Sequence, residues 1–128
     1  MTVILGAPPV GPPPPAAEPE SDWVLRLEAI SGPLVPQRFD VEPGRWKVGR
    51  GPKEEASFSL LAIPDPGLSR DHFRLEVGVA AAILIDLDST NGTFIATQRV
   101  ERHILQEGDT LRAGASAFRV RLRLRNPA

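Results

Sequence analysis

The chain has 128 residues, no cysteine, and 15 basic against 16 acidic side chains. That length accommodates one domain with a real core; the missing cysteines exclude a disulfide framework and thiol chemistry, and the near-neutral charge excludes a polyelectrolyte binder. No apolar run approaches bilayer-spanning length and no basic region precedes the short Val3-Ile4-Leu5 cluster, so neither a membrane span nor a secretory leader is expected and the chain reads as cytoplasmic.

Residues 1–22 contain Pro8, Pro9, Pro12, Pro13, Pro14, Pro15 and Pro19, half of the chain's 14 prolines. With little apolar content besides, this segment cannot bury enough surface to offset its ordering entropy, and it reads as a disordered tail leaning to polyproline II. Its charges are Glu18, Glu20 and Asp22, which leaves 15 basic against 13 acidic groups, a net of +2, on the remainder. A weakly basic body suits a small anionic ligand better than a long nucleic acid.

A domain is read over 23–125, followed by a short tail at 126–128. Trp23, Leu25, Leu27 and Ala29 alternate with Val24, Arg26 and Glu28, the period of a half-exposed strand that Gly32-Pro33 breaks. Phe39 and Val41 mark a second strand, and Pro43-Gly44 turns into a third at Trp46-Lys47-Val48. Gly49-Arg50-Gly51-Pro52 leaves that strand as a glycine-rich loop, and Ser57 to Leu61 reads as a short fourth strand. A long loop through Pro64, Pro66 and Gly67 leads to Ser69-Arg70-Asp71-His72 and a fifth strand at Phe73, Leu75 and Val77. The apolar run from Ala82 to Leu87 reads as the central buried strand. Asn91-Gly92, which taken alone is a hairpin turn, precedes short strands at Thr93–Ile95, Arg99–Val100, around Leu105 and at Thr110–Arg112. The chain closes on Phe118 to Arg125, a strict alternation of apolar residues with Arg119, Arg121, Arg123 and Arg125. No window has a helical period. Strands at this spacing define an all-β sandwich with its loops gathered at the ends.

Three polar loops, carrying Arg50, Ser69-Arg70 and Asp86 to Phe94, sit at strand edges and supply arginines, hydroxyls and an amide. Such a set suits capture of an oxyanion. In order and spacing, these loops and the later Leu105, Gly108-Asp109 and Leu111 resemble a forkhead-associated (FHA) domain, a phosphothreonine-binding β-sandwich, over residues 23–125.

The resemblance implies a sandwich of about ten to eleven strands with binding loops at one end. It implies that Arg50 and Ser69 contact the phosphate, with Arg70 and Thr90 near it and Asn91 on the peptide main chain. Gly49, His72 and Gly92 then support the site, His72 by bracing the loop that presents Ser69. No cofactor or metal is implied. The expected partner is a phosphothreonine-containing protein, a serine/threonine kinase or its substrate, with neither nucleic acid nor membrane as ligand. Phosphorylated Thr2, followed by Val3-Ile4-Leu5, could also serve as the domain's own ligand, although an inert leader is the simpler reading.

Other readings remain beside this one. Ser69, His72 and Asp86 are residue types of a hydrolase triad, but no nucleophile elbow accompanies them. His72 and His103 without cysteine make a poor metal set, and the arginine face of the last strand is what any solvated strand presents. A scaffold of the same fold that binds its partner without phosphate stays open. Three features depart from the resemblance: Asp71 places a carboxylate beside the phosphate site, the Leu61–Leu68 loop is about two residues longer, and Ile95-Ala96-Thr97-Gln98 lacks a residue that tolerates positive φ.

Overall fold

A computed structural model of the chain describes residues 23–78 and 81–124; the segments read as tails, Thr2 among them, lie outside the described residues. The elements are β1 (Trp23–Ser31), β2 (Arg38–Val41), β3 (Gly44–Gly49), β4 (Ser59–Ala62), β5 (Phe73–Val77), β6 (Ala82–Asp86), β7 (Thr93–Ile95), β8 (Gln98–Arg99), β9 (Arg102–Ile104), β10 (Thr110–Ala113) and β11 (Ser116–Leu124). Among the described residues no helix is long and apolar enough to cross a membrane. The strands form two sheets, ordered β2-β1-β11-β10-β7-β8 and β4-β3-β5-β6-β9. All pairs are antiparallel except β3 with β4, where Trp46 lies opposite Ser59 and Gly49 opposite Ala62.

The period-2 pattern explains which face each strand buries. In β5, Phe73, Leu75 and Val77 are buried while Arg74 and Glu76 stay half-exposed. In β11, Phe118 and Val120 enter the core while Arg119 and Arg121 are half-exposed and Arg123 is exposed. Leu25, Leu27, Val41, Val48, Leu75, Leu84 and Leu111 complete the layer between the sheets, and Phe39 meets Phe118 edge-on with ring centroids 6.2 Å apart. Two of the outward arginines are paired. Arg26 is bidentate to Asp40, and Arg121 contacts both Glu28 and Glu107. These pairs offset part of the positive charge that the sequence reads on this face, which weakens the case for nucleic acid there.

Several elements differ from the sequence reading. The run read as the central strand is β6, second from the edge of its sheet; Ala82 and Leu84 are buried but Ile83 and Ile85 are half-exposed on the outer face. The central strand is β5. The fourth strand begins at Ser59, because Ser57 has φ 76° and cannot continue a ladder. Phe58 leaves the strand to lie under the Arg45 guanidinium, 4.4 Å from the ring centre. Asn91-Gly92 does not close a hairpin. It ends a crossover that carries the chain from β6 in one sheet to β7 in the other.

The β7–β8 connection does turn through positive φ, and Ala96 supplies it at 56°. The turn is imposed by the pairing of Ile95 with Gln98 and by the Ala96 N–H bond to the Thr110 carbonyl. A left-handed residue with a Cβ costs roughly 1–2 kcal/mol, against about 0.5–1 kcal/mol for the greater chain entropy of glycine. Ala96→Gly is therefore expected to stabilise the domain by about 0.5–1 kcal/mol, raising Tm by several degrees in a thermal melt. An unchanged or lower Tm contradicts this account of the turn.

Candidate functional site

Four connections meet at one end of the sandwich: β3–β4, β4–β5, the β6–β7 crossover and the β10–β11 turn. Gly49 permits the first two to touch. A Cβ there would overlap the Arg70 carbonyl oxygen, so only glycine allows this approach. Immediately after it, the Arg50 N–H donates to the Ser69 carbonyl at 2.9 Å and the Arg50 Nε–H to the Leu68 carbonyl at 3.2 Å. The two terminal nitrogens of the guanidinium keep no partner among the described residues.

Ser69 joins the second loop to the crossover. Its Oγ accepts the Thr90 N–H at 3.0 Å, which leaves its own proton free to donate outward. Asn91 follows, exposed, with Nδ2 donating to the Gly67 carbonyl at 3.0 Å and its Oδ1 uncommitted among the described residues. Arg70 and the Thr90 side chain are exposed in the same loops. The residues singled out from the sequence thus lie together. Arg50, Ser69, Thr90 and Asn91 are linked through backbone, whereas the Arg70 side chain has no bond to the others.

Behind them stands His72, fully buried. Its Nδ1 accepts the Ser69 N–H at 3.0 Å, so Nε2 carries the proton and donates to the Gly92 carbonyl at 3.0 Å. Gly92 itself has φ 87°, and a Cβ on it would come within 2.9 Å of the Arg99 Nε. Asp86 fixes the start of the crossover by accepting the Ser89 N–H, the Ser89 Oγ–H and the Thr93 Oγ1–H, the last two at 2.6 Å. Burial is the largest single influence and would push this carboxylate up; the three hydrogen bonds together outweigh it and hold the group below the usual range.

This wiring is not that of a Ser69-His72-Asp86 triad. Both His72 nitrogens are spent on backbone groups, Ser69 Oγ faces the Thr90 N–H, and Asp86 is bonded to Ser89 and Thr93. His103 is paired with Asp109 at 3.0 Å, and among the described residues no group of three or more metal-ligating side chains is clustered. An open groove of about 700 Å³ runs beside the crossover between Asp88 and Arg99, but none of Arg50, Ser69, Thr90 or Asn91 lines it.

Two charged residues at the site escaped the sequence reading. Lys47 is 6% exposed, and its Nζ donates to the Lys53 carbonyl and Glu55 Oε1 and lies 3.4 Å from Asp71 Oδ1. Burial, the largest influence, pulls this amine down, but Glu55 and Asp71 together hold it above its ordinary value. Asp71 also accepts the Lys53 N–H at 3.0 Å. Its carboxylate is therefore tied into the β3–β4 loop and does not stand as a free charge beside Arg50. Asp65, fully buried, accepts the Gly67 N–H at 2.8 Å, the Ala115 N–H at 2.9 Å and the Ser116 Oγ–H at 2.6 Å. A strand-period lysine carries no sign of burial; the Asp two residues before a Gly is an Asx-turn signal that could have marked Asp65.

Such a sandwich, with uncommitted donors gathered on loops at one end, is a ligand-binding module. The chain belongs to the FHA domain family, whose model matches residues 46–114. It is 36% identical over 98 residues to the FHA domain-containing protein FhaA of Mycobacterium tuberculosis, covering 77% of this chain but only 17% of that protein's length. A solved structure from a study of phosphothreonine-dependent FHA domain interactions superposes with a TM-score of 0.64 at 32% identity, covering 77% of this chain and 95% of that one. The FhaA FHA domain, crystallised with the intracellular domain of a second protein, gives 0.63 at 32% identity, over 76% of this chain and 99% of that one.

The Asp86 cluster sets a pH dependence. A carboxylate with a lowered folded pKa contributes stability above its unfolded value, roughly pH 4, and loses it as pH falls through the folded value. Thr93→Val removes one charge-assisted bond and should cost about 1.5–3 kcal/mol at neutral pH. Urea unfolding across the acid range should show that deficit shrinking below about pH 4; a deficit constant with pH contradicts the assignment.

Proposed function

We propose that the chain binds a phosphothreonine-containing segment of a partner protein through Arg50, Ser69, Arg70, Thr90 and Asn91, as an interaction module in serine/threonine kinase signalling in the cytoplasm. The partner is a kinase of that type or one of its substrates. The observation that carries this reading is the convergence of the free guanidinium nitrogens of Arg50 with the Ser69 hydroxyl, whose proton is left to donate, beside the exposed Asn91 amide.

The chemistry of each group fits. A phosphothreonine presents about −1.5 to −2 charges and three strong acceptor oxygens at neutral pH. The Arg50 guanidinium offers a permanently charged planar fork, and Ser69 a short O–H donor. Asn91 can donate to one peptide carbonyl and accept from one N–H, which orients an extended chain beside the phosphate. Asp71 is drawn onto Lys47 and the Lys53 N–H, which offsets part of its charge toward an anionic ligand. The FHA relatives described above support the reading by family.

A short phosphopeptide held on a rim of loops should bind near micromolar, about −8 kcal/mol. Calorimetry with the best peptide from a phosphothreonine-oriented library should show Arg50→Ala losing roughly 2–5 kcal/mol. Equal affinities would sink the assignment. The unphosphorylated and phosphoserine counterparts serve as controls, and undiminished binding of the unphosphorylated peptide would favour a phosphate-independent scaffold. Asn91→Ala should weaken binding with nearly unchanged Tm, because the side chain is exposed.

His72→Ala should behave differently and lower Tm together with affinity. It leaves the Ser69 N–H and the Gly92 carbonyl without their buried partner, a loss of roughly 1–3 kcal/mol for each unsatisfied group. Reduced affinity at an unchanged Tm would instead place His72 on the ligand.

A further inference from the structure

Asp65 lies away from the proposed ligand, yet its bonds converge on the backbone that holds the ligand-facing side chains. Oδ1 takes the Gly67 N–H, and the Asp65 carbonyl takes the Leu68 N–H at 3.0 Å. On their other side the same two residues receive the site: the Gly67 carbonyl accepts from Asn91 Nδ2 and the Leu68 carbonyl from Arg50 Nε. Asp65 thus holds this stretch twice, through its carboxylate on the Gly67 N–H and through its backbone carbonyl on the Leu68 N–H, and the carbonyls of the same two residues aim the amide and the guanidinium.

Its second oxygen anchors this arrangement to another part of the fold. Oδ2 accepts from the Ala115 N–H and the Ser116 hydroxyl of the β10–β11 turn. The contact leaves no room for side chains. A Cβ on Gly114 would lie 2.9 Å from Asp65 Oδ2 and 3.0 Å from the Leu68 N, and one on Gly67 would lie 3.0 Å from the Gly114 Cα. Gly114 also has φ 60°. The loop and the turn therefore pack backbone to backbone, with the carboxylate as the polar link. A buried acceptor saturated by three donors has one arrangement available, because moving it would strand all three.

We infer that Asp65 is a positioning residue for phosphopeptide binding: it holds the Gly67–Leu68 peptide units so that Asn91 and Arg50 are oriented before the ligand arrives, and the β10–β11 turn is the fixed point it works from. This rests on the proposed function for the ligand, but not for the geometry. Binding to side chains already held in place avoids part of the ordering cost that free rotamers would incur.

The test uses Asp65→Asn, which keeps size and one acceptor, and Ser116→Ala, which removes one donor from the far side of the same carboxylate. In the unliganded protein, NMR signals of the Asn91 side-chain amide and the Arg50 Nε–H should shift and exchange faster in both variants. Affinity for the best phosphopeptide should fall on the order of 2- to 30-fold. In an Asn91→Ala background the same substitution should cost less than half as many fold, since the path through Asn91 is already cut. Side-chain signals unchanged from wild type, or losses that multiply independently, would overturn the inference and leave Asp65 with stability alone. If Asp65→Asn does not fold, Ser116→Ala decides by the same readouts. If wild type binds no phosphopeptide, the proposed function fails while the NMR signals of the free protein still judge the positioning.

Discussion

The buried imidazole of His72, accepting from the Ser69 N–H and donating to the Gly92 carbonyl, is the interaction on which the loop end of this sandwich depends. At the end of a β-sheet the backbone groups of the loops have lost their ladder partners, and each one that is shielded from water must find another. Here the loops supply partners to one another. His72 serves two of them with its ring; its carbonyl accepts the Leu87 N–H and its N–H donates to the Val48 carbonyl. One residue thereby joins β3, the β4–β5 loop and the crossover. Its two nitrogens require a single neutral tautomer, which makes the connection directional as well as close.

Around this centre the charged groups are arranged so that few of them are free. Lys47 is shared between Glu55 and Asp71 at the β3–β4 loop, Asp86 is saturated by hydroxyls and a backbone N–H, and Asp65 by two N–H groups and a hydroxyl. On the outer face, Arg26 of β1 and Arg121 of β11 are paired with carboxylates. Beside exposed carboxylates at Glu54, Glu55 and Asp88, the loop end presents a local set of donors: exposed Arg50, Arg70 and Asn91 and the half-buried Ser69 hydroxyl. A small anion meeting this surface gains charge-assisted bonds without first displacing an internal carboxylate. The function proposed for the chain follows from that asymmetry between a satisfied interior and an unsatisfied rim.

Much of the architecture was legible in the order of residues. Alternation placed β1, β5 and β11, and the glycine, proline and asparagine breaks separated the strands. Local pattern misled where the outcome depended on partners remote in sequence. Ala82 to Leu87 reads as fully buried, yet β6 exposes one face because only the β1-containing sheet covers it from inside. Ala96 adopts a positive φ that its side chain disfavours, because the pairing of Ile95 with Gln98 leaves no alternative. Lys47, placed by the sequence only within the third strand, is buried, since Glu55 and Asp71 arrive from other segments to meet it.

By itself the sequence determined the fold class, because period-2 burial is a property of short stretches, and it marked Arg50, Ser69, His72 and Asn91 as candidates by their chemistry and by family resemblance. Only the tertiary structure decided how those residues are held. The Asn91-Gly92 segment crosses between sheets instead of closing a hairpin, Asp71 turns onto Lys47 and the Lys53 N–H, and Asp65 reaches Ser116 across 51 positions of sequence. Each of these is a hydrogen bond or ion pair between segments that no local pattern connects. Its geometry exists only once the two sheets have packed and brought four loops to one end.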